Sequence, residues 1–136
     1  MVHQREWILV SAPNKAGELF ISQLLARQIP CAAIVNNRVE QERVTRIGVK
    51  ISHLVDTKNE VTWIMPEFPV GQVFLFENSV TLCCRYLQIC SKWTTKPITI
   101  ITHSSSPRLM YRNLGARNII HTSSQDVSFL IASMDD

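Results

Sequence analysis

His103 and His121 each close an apolar, β-prone run, Pro97 to Thr102 and Arg117 to Ile120. Such runs predict neighbouring strands, and ligands bind at the carboxyl ends of strands in open α/β sheets. Imidazoles placed there could hold a metal or move a proton. Two ligands do not complete a zinc set, so no metal site is expected, and locally hydrogen-bonded surface histidines are the simpler reading. Ser104-Ser105-Ser106 could offer hydroxyls and amides to an anion at the start of the next helix. Helix capping explains the same residues with less. A nucleophile pair of Ser104 and His121 lacks an orienting acid and a nucleophile-elbow motif. Cys31, Cys83, Cys84 and Cys90 form no Cys-x-x-Cys pair and read as small buried hydrophobes in a reducing compartment. No catalytic residue is expected.

The turn after the first apolar run, Ser11-Ala12-Pro13-Asn14-Lys15-Ala16-Gly17, stands where a dinucleotide-binding domain carries its glycines. Those glycines let the backbone approach a pyrophosphate. Only Gly17 matches, as the last glycine of a short-chain-dehydrogenase-like pattern; Pro13 removes an amide donor, and no Tyr-x-x-x-Lys pair follows. No cofactor is therefore expected.

These residues need a framework. The chain has 136 residues, 46% of them hydrophobic and 18% charged, enough to bury one core. Trp7 to Val10, Ala32 to Val35, Pro97 to Thr102 and Arg117 to His121 predict strands, and Val73 to Phe76 is a further apolar run. Lys15 to Gln28, Arg38 to Arg46, the segment bearing Val80, Cys83, Cys84, Leu87 and Cys90, Pro107 to Asn113 and Gln125 to Ser133 predict helices, with Gly115 capping the fourth. Val49 to Val55 and Glu60 to Met65 are β-prone but ambiguous. The alternation predicts an α/β domain with a five-stranded, mostly parallel, doubly wound sheet covered on both faces. The net charge of +3 is spread thinly, against a nucleic-acid footprint. No apolar run reaches the roughly 18 residues of a membrane span, so a cytoplasmic domain is expected, excised from a larger protein or standing alone.

The same order of elements resembles a response-regulator receiver. Asn14, Asn37, Met65-Pro66, Thr102 and Gly115-Ala116 carry the resemblance, which would put Thr62 in the place of the phosphoacceptor aspartate. Ala12-Pro13 replace the acidic pair and Thr122-Ser123 the lysine-proline. An alternative parse makes Val73 to Phe76 the third strand, with Glu77 near the acceptor site. Mg²⁺ and phosphoryl binding need carboxylates and a lysine. The resemblance thus implies a pseudo-receiver (CheY-like) regulatory domain of two-component signalling. It would act by protein contact or self-association through Arg108, Arg112, Arg117 and Asp126, without nucleic acid or membrane insertion. The alternative is a degenerate NAD(P)-binding Rossmann domain, or a structural domain of a larger enzyme.

Overall fold

A computed structural model describes residues 5–103 and 108–132; Ser104 to Ser106, Pro107 and Ser133, named above, lie outside them. The strands are β1 (Trp7–Ser11), β2 (Cys31–Val35), β3 (Ser52–Leu54), β4 (Val70–Phe76), β5 (Ile98–Thr102) and β6 (Asn118–His121). The helices are α1 (Lys15–Ala26), α2 (Arg38–Ile47), α3 (Val80–Cys90), α4 (Arg108–Asn113) and α5 (Ser128–Ala132). All six strands run parallel in the order β3-β2-β1-β4-β5-β6.

That order corrects the receiver reading. A receiver sheet has five strands in the order 2-1-3-4-5. Here the third strand lies outside the second, and the fourth, Val70–Phe76, takes the place beside β1. The expected parallel α/β class stands, with a sixth strand added. The additional strand comes from the ambiguous middle of the chain: β3 keeps only three residues, and Glu60–Thr62 is a 3₁₀ turn rather than a strand. Polar groups fix that turn. Thr62 Oγ1 accepts from Asp56 N at 2.9 Å, and Trp63 Nε1 donates to Asp56 O at 2.8 Å. Local hydrogen bonds of this kind compete with a ladder.

Burial on both faces explains the apolar runs. Along β1, Leu9 faces a core completed by Tyr86, Leu87, Ile100 and Tyr111, while Val10 faces one completed by Phe20, Leu24, Phe74 and Ile131. Phe20 joins the second core to β4 through ring contacts with Phe74 at 4.8 Å and Phe76 at 5.5 Å. The link from β3 to β4 carries the chain from one face to the other, and Trp63 and Phe68 pack from it onto the first core.

Three helices stop in the same way. After α1, α2 and α4 the chain turns through Gln28, Gly48 and Gly115 at φ of 58°, 122° and 117°. The amide pairs Gln28/Ile29, Gly48/Val49 and Gly115/Ala116 each return to carbonyls of the last turn, the bonding of a Schellman cap. Gln28 is the exception in residue type, since a Cβ makes positive φ costly. Gln28→Gly is expected to stabilise the domain by about 0.5–1 kcal/mol, the relief of strain less the entropy glycine loses on folding. Gly48→Ala should destabilise it by about 1 kcal/mol or more. Urea unfolding of the two variants reads both, and a stabilising Gly48→Ala would contradict the argument.

Candidate functional site

The strand order reverses between β1 and β4, and a crevice of about 310 Å³ opens there at the carboxyl edge of the sheet. Asn14, Lys15, Ala16, Glu77, Asn78, His103 and Gln125 line it. Asn14, Glu77, Asn78, His103 and Gln125 come from the loops that follow strands, and Lys15 and Ala16 from the first turn of α1. In open α/β sheets this switch point is where ligands sit.

One wall is the start of α1. Asn14 caps the helix: its Oδ1 accepts from Gly17 N at 3.0 Å, and its Nδ2 donates to Glu77 O at 3.2 Å. The side chain therefore ties the β1–α1 turn to the end of β4. Gly17 sits so close to that turn that a Cβ would lie 2.7 Å from Ala12 Cα and 3.1 Å from Phe76 Cγ. This is the work of the third glycine in G-x-G-x-x-G, close packing of helix on strand. Counted back from it, Ala12 and Asn14 occupy the first two glycine positions. Asn14 spends on itself an amide that a glycine loop would offer to phosphate.

The floor is Glu77, 9% exposed. Thr102 Oγ1 donates to its Oε1 at 2.7 Å, and the Tyr111 hydroxyl donates to its Oε2. Two hydroxyls thus replace water around a carboxylate that would otherwise be costly to bury. Burial, and next the bond to Glu77, pushes Tyr111 far above the usual phenol range. Burial also raises the Cys83 thiol to about 12. His103 Nδ1 pairs with Thr122 O, which fixes the ring at the crevice mouth.

A dinucleotide site also needs a carboxylate for the ribose, about 20 residues beyond the glycines. Asn36 and Asn37 stand after β2 instead. The nearest acid, Glu40, is turned inward at 9% exposure, its Oε1 among the buried atoms without a partner; burial raises its pKa, opposed by Arg43 and by the Asn36 amide.

The residues singled out in the sequence separate into groups. Ala12 and Pro13 form the turn beneath the crevice, and Thr102 holds its floor. Thr122 follows β6 and donates its amide to Thr102 O at 3.0 Å. Thr62 belongs to the crossover, away from the crevice, so it does not occupy an acceptor position. Thr102 pairs with His121 in the ladder, so the two histidine-bearing strand ends do lie side by side. Arg108 and Arg112 project from α4; Arg117 precedes β6, and Asp126 follows it. Sequence reasoning did not find Lys15, Asn78, Tyr111 or Gln125. Glu77 entered only through the alternative parse, and no local pattern marks Tyr111, its partner 34 positions away. Among the described residues no three potential ligands cluster for a metal, and no helix is long and apolar enough to cross a membrane.

The architecture is that of a Rossmann domain. No family model and no curated protein matches the chain. Solved structures do. The TrkA-N domain of the inner membrane protein ybaL from Escherichia coli superposes with a TM-score of 0.66 at 15% identity, covering 99% of this chain and all of that one. The NAD(P)-binding domain of an exopolyphosphatase-related protein from Archaeoglobus fulgidus gives 0.67 at 16% identity, covering 96% of each chain. The GsuK channel bound to NAD gives 0.68 at 11% identity over 86% of this chain, which spans only 21% of the channel's. At such identities the likeness establishes the fold. It overturns the receiver resemblance, and with it the two-component signalling function that rested on that resemblance.

Two measurements test the buried polar floor and its surroundings. Tyr111→Phe removes one donor from Glu77 and should cost about 1–3 kcal/mol, the range for a buried group left short of a partner; urea unfolding reads it, and a neutral change would mean that the hydroxyl does not hold Glu77. The second concerns alkali. Burial raises Cys31 to about 11 and Cys83 to about 12, from an ordinary 9.0. Their stabilisation is complete below the unfolded value and is lost as pH rises through it, because the unfolded thiols ionise first. By pH 10 each thiol should have lost about 1.4 kcal/mol. Cys31→Ala should flatten the pH dependence of unfolding above pH 9, and an unchanged slope would refute the assignment.

Proposed function

We propose that this chain is a regulatory Rossmann domain, of the kind that binds NAD(P) or NAD in two of its structural neighbours, with a worn dinucleotide grip and a crevice that takes a smaller nucleotide. The observation that carries this reading is the crevice itself. It lies at the strand-order reversal, with the start of α1, Lys15 and Gly17 on one side and Glu77 on its floor. A helix start with a lysine at its first position suits a phosphate. Glu77 and His103 suit hydroxyls or exocyclic amines, through acceptor atoms at the end of β4 and the mouth of the crevice.

Size and donor inventory favour a mononucleotide. A volume of about 310 Å³ is at the lower end of ligand pockets. Asn14 takes the Gly17 amide, and neither Asn36 nor Asn37 can act as the ribose carboxylate. A nucleotide that binds the native state and alters contacts with a neighbouring domain or subunit is the mode of action this reading implies, in a cytoplasmic setting.

Calorimetric titration with AMP, ATP, NAD⁺ and NADPH provides the test. A mononucleotide should bind tightest, raise the melting temperature by mass action, and weaken at least tenfold in Lys15→Glu. Absence of heat and of thermal shift with every nucleotide would sink the proposal. A dinucleotide that binds more tightly than AMP and ATP would sink the mononucleotide part and keep the Rossmann ligand site.

A further inference from the structure

Two apolar patches stand at opposite edges of the sheet, and they differ in charge. Beside β3 a groove of about 700 Å³ is lined chiefly by Ile51, Leu54, Ile64, Met65, Pro66 and Phe68, with Glu67 its single full charge. Ile64 is 69% exposed and Met65 56%, and neighbouring Val61 reaches 81%. Scattered apolar residues on a surface are ordinary, but several within one short segment mark a contact site. The groove exists because the β3–β4 crossover is a 3₁₀ turn and loop where a helix would have turned such side chains inward.

At the other edge, α4 presents Leu109 at 73% exposure and Met110 at 40%. Arg108 and Arg112 flank them, one helical turn apart, and the helix carries no carboxylate. An apolar helix face seated in an apolar groove is a common mode of recognition. Opposite charge at the rim favours encounter and fixes register.

We propose that α4 of a second copy of this chain seats in the groove beside β3, with Leu109 and Met110 against Ile64 and Met65 and with Arg112 toward Glu67. The two patches belong to different edges of one sheet, β3 and β6, so the contact is head to tail. A head-to-tail contact leaves one groove and one helix unsatisfied at the ends, and it grows into a ring or an open row of subunits. This inference is independent of the nucleotide reading, because neither patch includes a residue of the crevice.

The test uses the whole chain in light scattering after size exclusion, over a concentration series at low salt. The wild type should increase in mass with concentration. Ile64→Asp with Met65→Asp, lacking the groove, and Leu109→Asp with Arg112→Glu, lacking the helix face, should each stay monomeric with unchanged circular dichroism. Mixed together, they should form a species of twice the monomer mass and nothing larger, since only one intact groove and one intact helix face remain. As a second measure with gentler variants, Glu67→Arg or Arg112→Glu alone should weaken association about tenfold, the equivalent of about 1.4 kcal/mol, and the double swap should restore it. A wild type that stays monomeric throughout would overturn the proposal. So would a mixture that fails to pair, or self-association that survives in either paired-patch variant.

Discussion

The pairing of β4 against β1 governs the molecule. Val70–Phe76 could enter the sheet there only because β2 and β3 were laid down on the other side of β1, and the reversal leaves the loops after β1 and β4 diverging. The crevice is the space between them. Gly17 then sets how near α1 comes: a missing Cβ lets the helix start rest on Ala12 and Phe76. Asn14 closes the arrangement by bonding across to the carbonyl of Glu77. One pairing, one missing side chain and one amide bridge thus determine where Lys15, Glu77 and His103 can meet.

Much of this frame is legible in the sequence, and the exceptions share a cause. The first helix, the third helix and the β5 strand announce themselves because their apolar spacing is local and strong, and Gly115 marks the end of α4 because only a few residues tolerate positive φ. Strand order is a different kind of information. The segment from Leu9 to Asn37 is a β-α-β unit with asparagine-rich turns, equally at home in a receiver and in a Rossmann domain, so matching it residue by residue could not separate the two. What separates them is whether the next strand turns back beside β2 or crosses to β1. That choice depends on Ser52–Leu54, three half-buried or exposed residues with little β signal of their own.

The site was less legible than the frame because its partners are far apart in the chain. Glu77, Thr102 and Tyr111 come from three elements, and none belongs to a spacing motif. A glutamate after an apolar strand reads as an ordinary solvent-facing end until Thr102 and Tyr111 are brought over it. In the polar floor they make, each carboxylate oxygen has a hydroxyl donor from a different element, β5 or α4. The same floor ties α4, the helix that carries the exposed Leu109, to the ends of β4 and β5.

The sheet also tapers. Its central strand β4 has seven residues, while the outermost strands have three and four. Ser52, His53, Asn118 and His121 occupy those outer strands, which puts polar side chains where the unpaired backbone groups are. Short polar margins offer a poor template for another strand, a device that keeps open sheets from zipping together along their backbones. The domain thus exposes apolar side chains at both ends of its sheet while the strand edges beside them give an added strand little to pair with.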